Sequence, residues 1–286
     1  MRVPKWITIL FVVVLVVLVV VVIALMLYSS RPPQDHLGNY VHETGSLEPI
    51  NWCSIVVVVD NNPGNGLETA WGLSILVETP DIKILFDTGP DPMVLRNNME
   101  ALGIDPRDID AIVISHEHSD HVGGLGYIAE VNPGLRVYVP SGMSRPIKES
   151  IQSMGFKVVE IDRTTVIGNG VAVIGQLHGP PWEQALAVYV KGKGLIVVVG
   201  CSHPGVDKIV SKAINDLGVH VYMVIGGFHM AGSPPGRCRS VVEKLISYGV
   251  EYIVPIHCSG NTIRSILSND YPEHFMKAHV GSRITV

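Results

Sequence analysis

The seven residues Ile109-Asp-Ala-Ile-Val-Ile-Ser115 run straight into His116-Glu-His-Ser-Asp-His121, with no turn residue between them. A short, nearly continuous β-branched run of this kind is the pattern of a strand covered on both faces. Such a strand lies inside a layered domain, so the segment after it is delivered to one edge of a sheet. That segment holds three histidines and two acids in six positions. In an extended segment leaving the strand, side chains alternate with period two. His116 and His118 then point the same way and can meet one cation, while Glu117 faces away. Asp120 and His121 are adjacent and diverge, which suits a second cation close to the first. Neutral imidazoles with a carboxylate are donors that Zn²⁺, Fe²⁺ or Mn²⁺ accepts, and open positions on paired cations activate water. Gly123 and Gly124 come next, where close backbone packing against cation or substrate needs residues without a Cβ.

The rest of the chain from about Cys53 alternates Val/Ile-rich runs with helical patterns. Ser54–Asp60, Gly72–Thr79 and Ile82–Gly89 read as strands, and Pro92–Gly103 as a helix with Pro near its start and Gly just past its end. After the histidine cluster come a helix near Gly124–Glu130, a strand over Arg136–Pro140 and a helix over Arg145–Met154. Strands over Val171–Leu177, Ala185–Val190 and Gly194–Gly200 are next. Two strand-helix units, beginning at Val219–Gly227 and Glu251–Gly260, close the chain. Meandering strands followed by crossover helices, occurring twice, predict an α/β domain with two mixed sheets packed face to face and helices outside.

Composition narrows the class. A chain that is 47% hydrophobic and 16% charged is too apolar to be disordered, and its 286 residues suffice for a large core. A formal net charge of −5 without a Lys/Arg cluster argues against nucleic acid as a partner and leaves a small-molecule substrate. Cys53, Cys201, Cys238 and Cys258 are widely spaced and form no CxxC pair, so a disulfide framework is not expected. Part of the apolar excess sits in Ile7–Leu27, 21 residues without a charge. As a helix that run spans a bilayer core of about 30 Å. The expected organisation is therefore a flank over 1–6, a transmembrane anchor over 7–27, a Pro-containing linker over 28–50 and the domain over 51–286. Arg2 and Lys5 precede the run, and the positive-inside bias puts the N-terminus in the cytoplasm and the domain outside it.

The cluster HEHSDH after a buried strand resembles the signature of the metallo-β-lactamase superfamily. Leu85–Gly89, LFDTG, is similar to that family's strand-end Asp-x-Gly, which implies that Asp87 supports a ligand or the turn. Gly200–Gly205 (GCSHPG), Gly226–Met230 (GGFHM) and His257–Gly260 (HCSG) together resemble one branch, the dihydropterin ribofuranosylaminobenzene phosphate synthase-like or dihydropteroate-synthase-like proteins. The resemblance covers about Ser54 to Val286. It implies an αββα sandwich with the site at the edge between the sheets, preceded here by the N-terminal transmembrane helix. It also implies metal ligands at His116, His118, Asp120, His121 and His257. Where many relatives place Gly-Asp after a strand, this chain has Gly200-Cys201, with His203 two residues on. His203 fits the branch pattern as a ligand. Cys201 is either a ligand or a small apolar residue beneath the site, and His178 is an alternative middle histidine. His229 becomes a wall donor or a substrate contact.

The expected activity is metal-dependent hydrolysis, with two divalent ions, zinc first and manganese or iron(II) as alternatives, activating water on an ester, amide or phosphoester. Asp120 is expected to orient or deprotonate that water, and His229 to stabilise charge or protonate the leaving group. Two other classes remain open: a pterin-related transferase that forms a carbon-nitrogen bond, and a non-hydrolytic metal-binding or redox module. His36, His42, His220, His274 and His279 have no ligand-like partners in sequence. No G-x-S-x-G elbow or P-loop is present.

Overall fold

The computed structural model describes residues 14–21, 23, 47–64 and 66–286. The chain divides into two units, Met1–His36 and Leu37–Val286. In the first, residues 14–21 and 23 are helical and exposed. None of the helices among the described residues is long and apolar enough to cross a membrane. The rest of the expected anchor over 7–27, most of the linker, and His36 and His42 lie outside the described residues.

The second unit has thirteen strands among its described residues. The first six are β1 (Ser54–Val59), β2 (Ser74–Glu78), β3 (Lys83–Phe86), β4 (Ala111–Val113), β5 (Arg136–Pro140) and β6 (Lys157–Ile161). The next six are β7 (Thr165–Gly168), β8 (Val171–His178), β9 (Trp182–Val190), β10 (Gly194–Val199), β11 (Val221–Gly227) and β12 (Tyr252–Ile256), and β13 (Arg283–Thr285) ends the series. The helices that connect them are α1 (Pro92–Leu102), α2 (Ser119–Val122), α3 (Leu125–Val131), α4 (Arg145–Ser153), α5 (Val206–Leu217), α6 (Pro235–Ser247) and α7 (Asn261–Asp270). One sheet has the order β13-β1-β2-β3-β4-β5-β6 and the other β12-β11-β10-β9-β8-β7. Both are mixed. In each, hairpin-connected antiparallel strands give way to parallel ones where helices begin to make the crossovers.

Period-two alternation places the layers. Ile55, Val57, Ile75, Ile84, Phe86 and Val113 of the first sheet meet Val171, Val173, Leu186, Val188, Ile196 and Val198 of the second in the central core. Their neighbours face the other way. Val56, Val58, Leu76, Leu85 and Ile112 pack against Leu95 and Met99 of α1 and Ile128 of α3. Ala187, Leu195, Val197 and Val199 pack against Ile209 and Val210 of α5, Val242 of α6 and Ile263 of α7. The result is a four-layer αββα sandwich, because every central strand is apolar on both faces and must be covered twice. Ile50, the last residue of the expected linker, is buried in the central core and bridges to Val190.

Three strands escape the pattern reading: β6, β7 and the three-residue edge strand β13. β6, Lys-Val-Val-Glu-Ile, is an edge strand with Lys157 and Glu160 exposed, and β7 is only four residues long, so neither carries a strong apolar run. The N-terminus of α1 obeys its local code: Asp91 caps it by accepting from the Met93 and Val94 amides, and Gly103 closes it in the left-handed conformation.

β1, β3 and β4 run in one direction, as do β10, β11 and β12, and their carboxyl ends meet at one edge of the sandwich. Loops leaving that edge carry Asp60, Asp87, Ser115, Cys201, His229 and His257. It is the place where an α/β sheet offers a crevice for ligands.

Candidate metal centre

The centre starts from β4. Ser115 and His116 leave the strand extended, but Ser119–Val122 is a helical turn, so Asp120 and His121 are not part of an extended segment. The turn does not carry His121 away from the first pair: its ring is centred 4.1 Å from that of His116. Glu117 does face away, its carboxylate accepting from the Ser144 amide at 2.6 Å.

The ring nitrogens converge. His116 Nε2 and His118 Nδ1 are 3.1 Å apart, and the His116 and His203 rings are centred 4.7 Å from each other. On the other side, Asp120 Oδ2 lies 3.7 Å from His121 Nε2 and 3.5 Å from His257 Nε2. Cys201 Sγ stands between the halves, 3.2 Å from His121 Nε2 and 3.4 Å from His257 Nε2. Asp120, His121, Cys201 and His257 form one donor group and His116, Cys201 and His203 another, each with donor atoms mutually within 4.8 Å.

These separations fit cations. Four donors around Zn²⁺ at about 2.1 Å stand about 3.4 Å from one another. The tautomers agree. Asp87 accepts from the Ser115 amide and hydroxyl and from His121 Nδ1, each at 2.7 Å, and His116 Nδ1 donates to Ser115 Oγ at 2.8 Å. Glu183 Oε2 accepts from His203 Nδ1 at 2.9 Å. With Nδ1 so occupied in His116, His121 and His203, each turns a lone pair on Nε2 toward the others, and such facing lone pairs call for a cation between them.

Electrostatics agree for His116, His118 and Asp120, whereas His121 is pushed toward its charged form. Burial, with His121 and His203 beside it, pushes the His116 imidazole well below its ordinary value, and burial and His203 lower His118. Both are kept neutral, the form that ligates. Burial also works against charge on His121, but the Asp87 carboxylate overrides it and raises that imidazole. Burial opposes charge on Asp120 too, yet His257 and His121 hold its carboxyl at about 2, so it is ionised. The hydrogen bond between the two thiols raises Cys201 and lowers Cys258, and Cys258 raises the His229 imidazole in turn.

The backbone is shaped for the site. Among the described residues, the non-glycine positions with positive φ are Asp87, Ser202, His229 and His257, at 57°, 61°, 50° and 49°. They come after β3, β10, β11 and β12, where strain of order 1–3 kcal/mol each is held in place by the surrounding structure. Gly200 is required because a Cβ there would come within 2.2 Å of Ser115 Oγ. Gly123 and Gly124 are required for a different reason from the one expected. Their missing Cβ atoms make room for the Pro90 and Thr88 carbonyls, each 2.1 Å from where a Cβ would sit, rather than for cation or substrate.

Of the histidines read from sequence, the structure brings together His116, His118, His121, His203, His229 and His257. His229 is exposed at the cleft rim, its ring centred 4.6 Å from that of His203. His178 is not brought in: it is exposed at the end of β8 and packs on Trp182. His220, His274 and His279 bond backbone carbonyls elsewhere. Cys201 stands among the donors, not beneath them. Pattern reading missed Asp60, whose carboxylate fixes the His257 amide at 2.8 Å, and Glu183, which also holds the Ser202 amide at 2.7 Å. Asp60 ends a Val-rich strand as Asp87 ends β3, a parallel visible in sequence. Glu183 lies inside a strand and has no local signal. Trp71, exposed beside His257, and Pro90 line the cleft above.

Comparison with known proteins agrees with this geometry. Residues 72–257 match the family profile of the metallo-beta-lactamase superfamily. A 7,8-dihydropterin-6-methyl-4-(beta-D-ribofuranosyl)-aminobenzene-5'-phosphate synthase of Methanocaldococcus jannaschii is 31% identical over 265 residues, covering 74% of this chain and 89% of that one. A solved metal-dependent hydrolase of the beta-lactamase superfamily superposes with a TM-score of 0.71 at 28% identity, covering 82% of this chain and 99% of its own. A diphosphatase from the PhnP family shares the fold, with a TM-score of 0.58 at 17% identity over 82% of this chain and 97% of its own. With this fold, these ordered motifs and these relatives, the chain belongs to the metallo-β-lactamase superfamily.

Proposed function

We propose that the domain is a metal-dependent hydrolase acting on an ester, amide or phosphoester. His116, His118 and His203 would hold one divalent ion, Asp120, His121 and His257 a second, and Cys201 would stand between them. The observation that carries this reading is the convergence of two donor groups on one sulfur at the floor of an open cleft. The ions, zinc first, would acidify a water and take up charge developing on oxygen.

The remaining work falls to the chain. Asp120, held ionised, accepts a hydrogen bond from the attacking water and aims it rather than storing its proton. Asp87 and Glu183 keep His121 and His203 in one tautomer and orientation. His229, at the rim, is placed to give a proton to the leaving group. Replacing it with alanine is expected to lower turnover about 10²-fold or more while leaving metal content unchanged. Unchanged turnover with unchanged metal would remove it from the mechanism.

The likeness to the methanogen synthase supports a second reading, a pterin-related transferase. Both are separated by one assay series, in which the zinc-loaded chain is given a carboxyl ester, a thioester, an amide and a phosphodiester. Turnover of at least one class, lost to a chelator and restored by zinc, supports hydrolysis. Inertness toward all four, with a pterin and an aminobenzene ribofuranosyl phosphate consumed together, supports the transferase.

In this proposal the apolar run over 7–27 tethers the domain outside the cytoplasm, a reading supported by the sequence of the run. The full chain is then expected to stay with membranes after alkaline carbonate washing, and protease added to intact cells or spheroplasts to digest the domain. Release by the wash, or complete protection of the domain, would dismiss the tether or its orientation.

A further inference from the structure

The two cation positions share one sulfur and leave a second beside it unused. Cys258 is buried on the single turn His257–Ser259, directly after a proposed ligand. The turn is pinned by Ser259 Oγ, which donates to the Ile256 carbonyl at 2.6 Å and accepts from the Phe228 amide at 3.0 Å. Its consecutive side chains therefore serve different places. His257 reaches Asp120 and Cys201 Sγ on one flank, whereas Cys258 Sγ lies 3.7 Å from the Cys201 carbonyl on another.

There His229 completes a set. Cys201 Sγ, Cys258 Sγ and a ring nitrogen of His229 lie within 4.8 Å of one another, a group separate from the other two except for Cys201. The space beside the second sulfur is kept by Gly227, whose Cβ would stand 2.7 Å from Cys258 Sγ and 2.5 Å from the Gly200 carbonyl. The left-handed backbone at His229, φ 50°, turns its ring over the cleft. Two sulfurs and one imidazole, open on the cleft side, make a three-donor site with room for a fourth ligand from solution. The other two groups are dominated by imidazole and carboxylate, which suit borderline ions, whereas paired thiolates select soft ones.

We infer that Cys201, His229 and Cys258 form a third cation position, selective for a thiophilic ion such as Cd²⁺ or Cu⁺. An ion bound there competes for the sulfur shared with the other positions and withdraws His229 from substrate. Thiophilic ions are thus inhibitors of the reaction, a consequence that rests on the hydrolase reading, whereas the site itself does not.

The test reads binding and not turnover. Cys53 and Cys238 are buried in core clusters away from the cleft, so they contribute little background. The full chain, stripped of metal, is titrated with Cd²⁺ while the thiolate-to-cadmium charge-transfer absorbance is followed, and zinc stoichiometry is measured separately. The parent is expected to show a band for two thiolates, and Cys258→Ser a band of about half that intensity, because only Cys201 remains to bind Cd²⁺. Cys258→Ala, which keeps the small buried volume, should behave as Cys258→Ser, and both should keep the parent's zinc stoichiometry and melting temperature. A band unchanged by either substitution overturns the inference. So does a reduced band accompanied by loss of zinc from the other two positions, because Cys258 would then be supporting the turn and not binding.

Discussion

His116→Ala and His257→Ala should each remove one of two bound divalent ions and lower turnover about 10³-fold, the several kcal/mol that a catalytic ion supplies to transition-state charge. The two variants should not be equivalent in structure. His257 closes a strained turn whose amide is held by Asp60. His116 lies on the path from β4 into the cluster and bonds Ser115. The loss of metal should therefore be clean in His116→Ala, with the melting temperature of the metal-free protein nearly unchanged, and accompanied by local loosening in His257→Ala. Metal analysis of the purified variants, with calorimetry of the metal-free forms, checks both. Full metal content in His116→Ala would dismantle the proposed centre.

Asp87→Ala is expected to cost about 3–5 kcal/mol of stability, because it breaks a buried charged network by removing one partner. The carboxylate is fully buried and accepts three hydrogen bonds, from the Ser115 amide, the Ser115 hydroxyl and His121 Nδ1. Truncation leaves those donors unpaired in the core. Asp87→Asn separates packing from chemistry. It preserves shape but turns an N–H₂ toward a former donor, so His121 loses the acceptor that keeps its proton on Nδ1. The expected result is a fold close to native with metal affinity lowered about 10–100-fold. Urea denaturation of metal-free protein and competitive zinc titration measure the two effects separately. Native zinc affinity in Asp87→Asn would show that His121 does not depend on this carboxylate for its tautomer.

Local codes carried much of the fold. The Val/Ile runs of β1, β4, β10 and β11 are apolar on both faces, and only a strand between two coverings satisfies them. The punctuation of α1, with Asp91 and Pro92 at one end and Gly103 at the other, was equally legible. So were the histidines of the cluster, because six adjacent residues cannot be far apart in any fold. By itself, then, the sequence determined a layered α/β domain and the presence of a donor-rich turn at a strand end.

Other assignments needed the tertiary structure. Glu183, 62 positions from His121 in the chain, has no local signal, and Cys201 and Asp60, 80 and 61 positions away, are marked only as strand-end residues, which does not say which edge they will reach. Parallel pairing of β10, β11 and β12 brings the Cys201, His229 and His257 loops to the edge where β3 and β4 deliver Asp87 and His116. Likewise, composition supplies no means to separate His178 from His203. One is left on the surface against Trp182, and the other is drawn inward by Glu183. A ligand is defined by where its lone pair points, and that direction depends on a hydrogen-bond partner distant in sequence. Residue types and their periodicity set the layers and the donor-rich turn, while strand order and buried carboxylates decided which donors face one another.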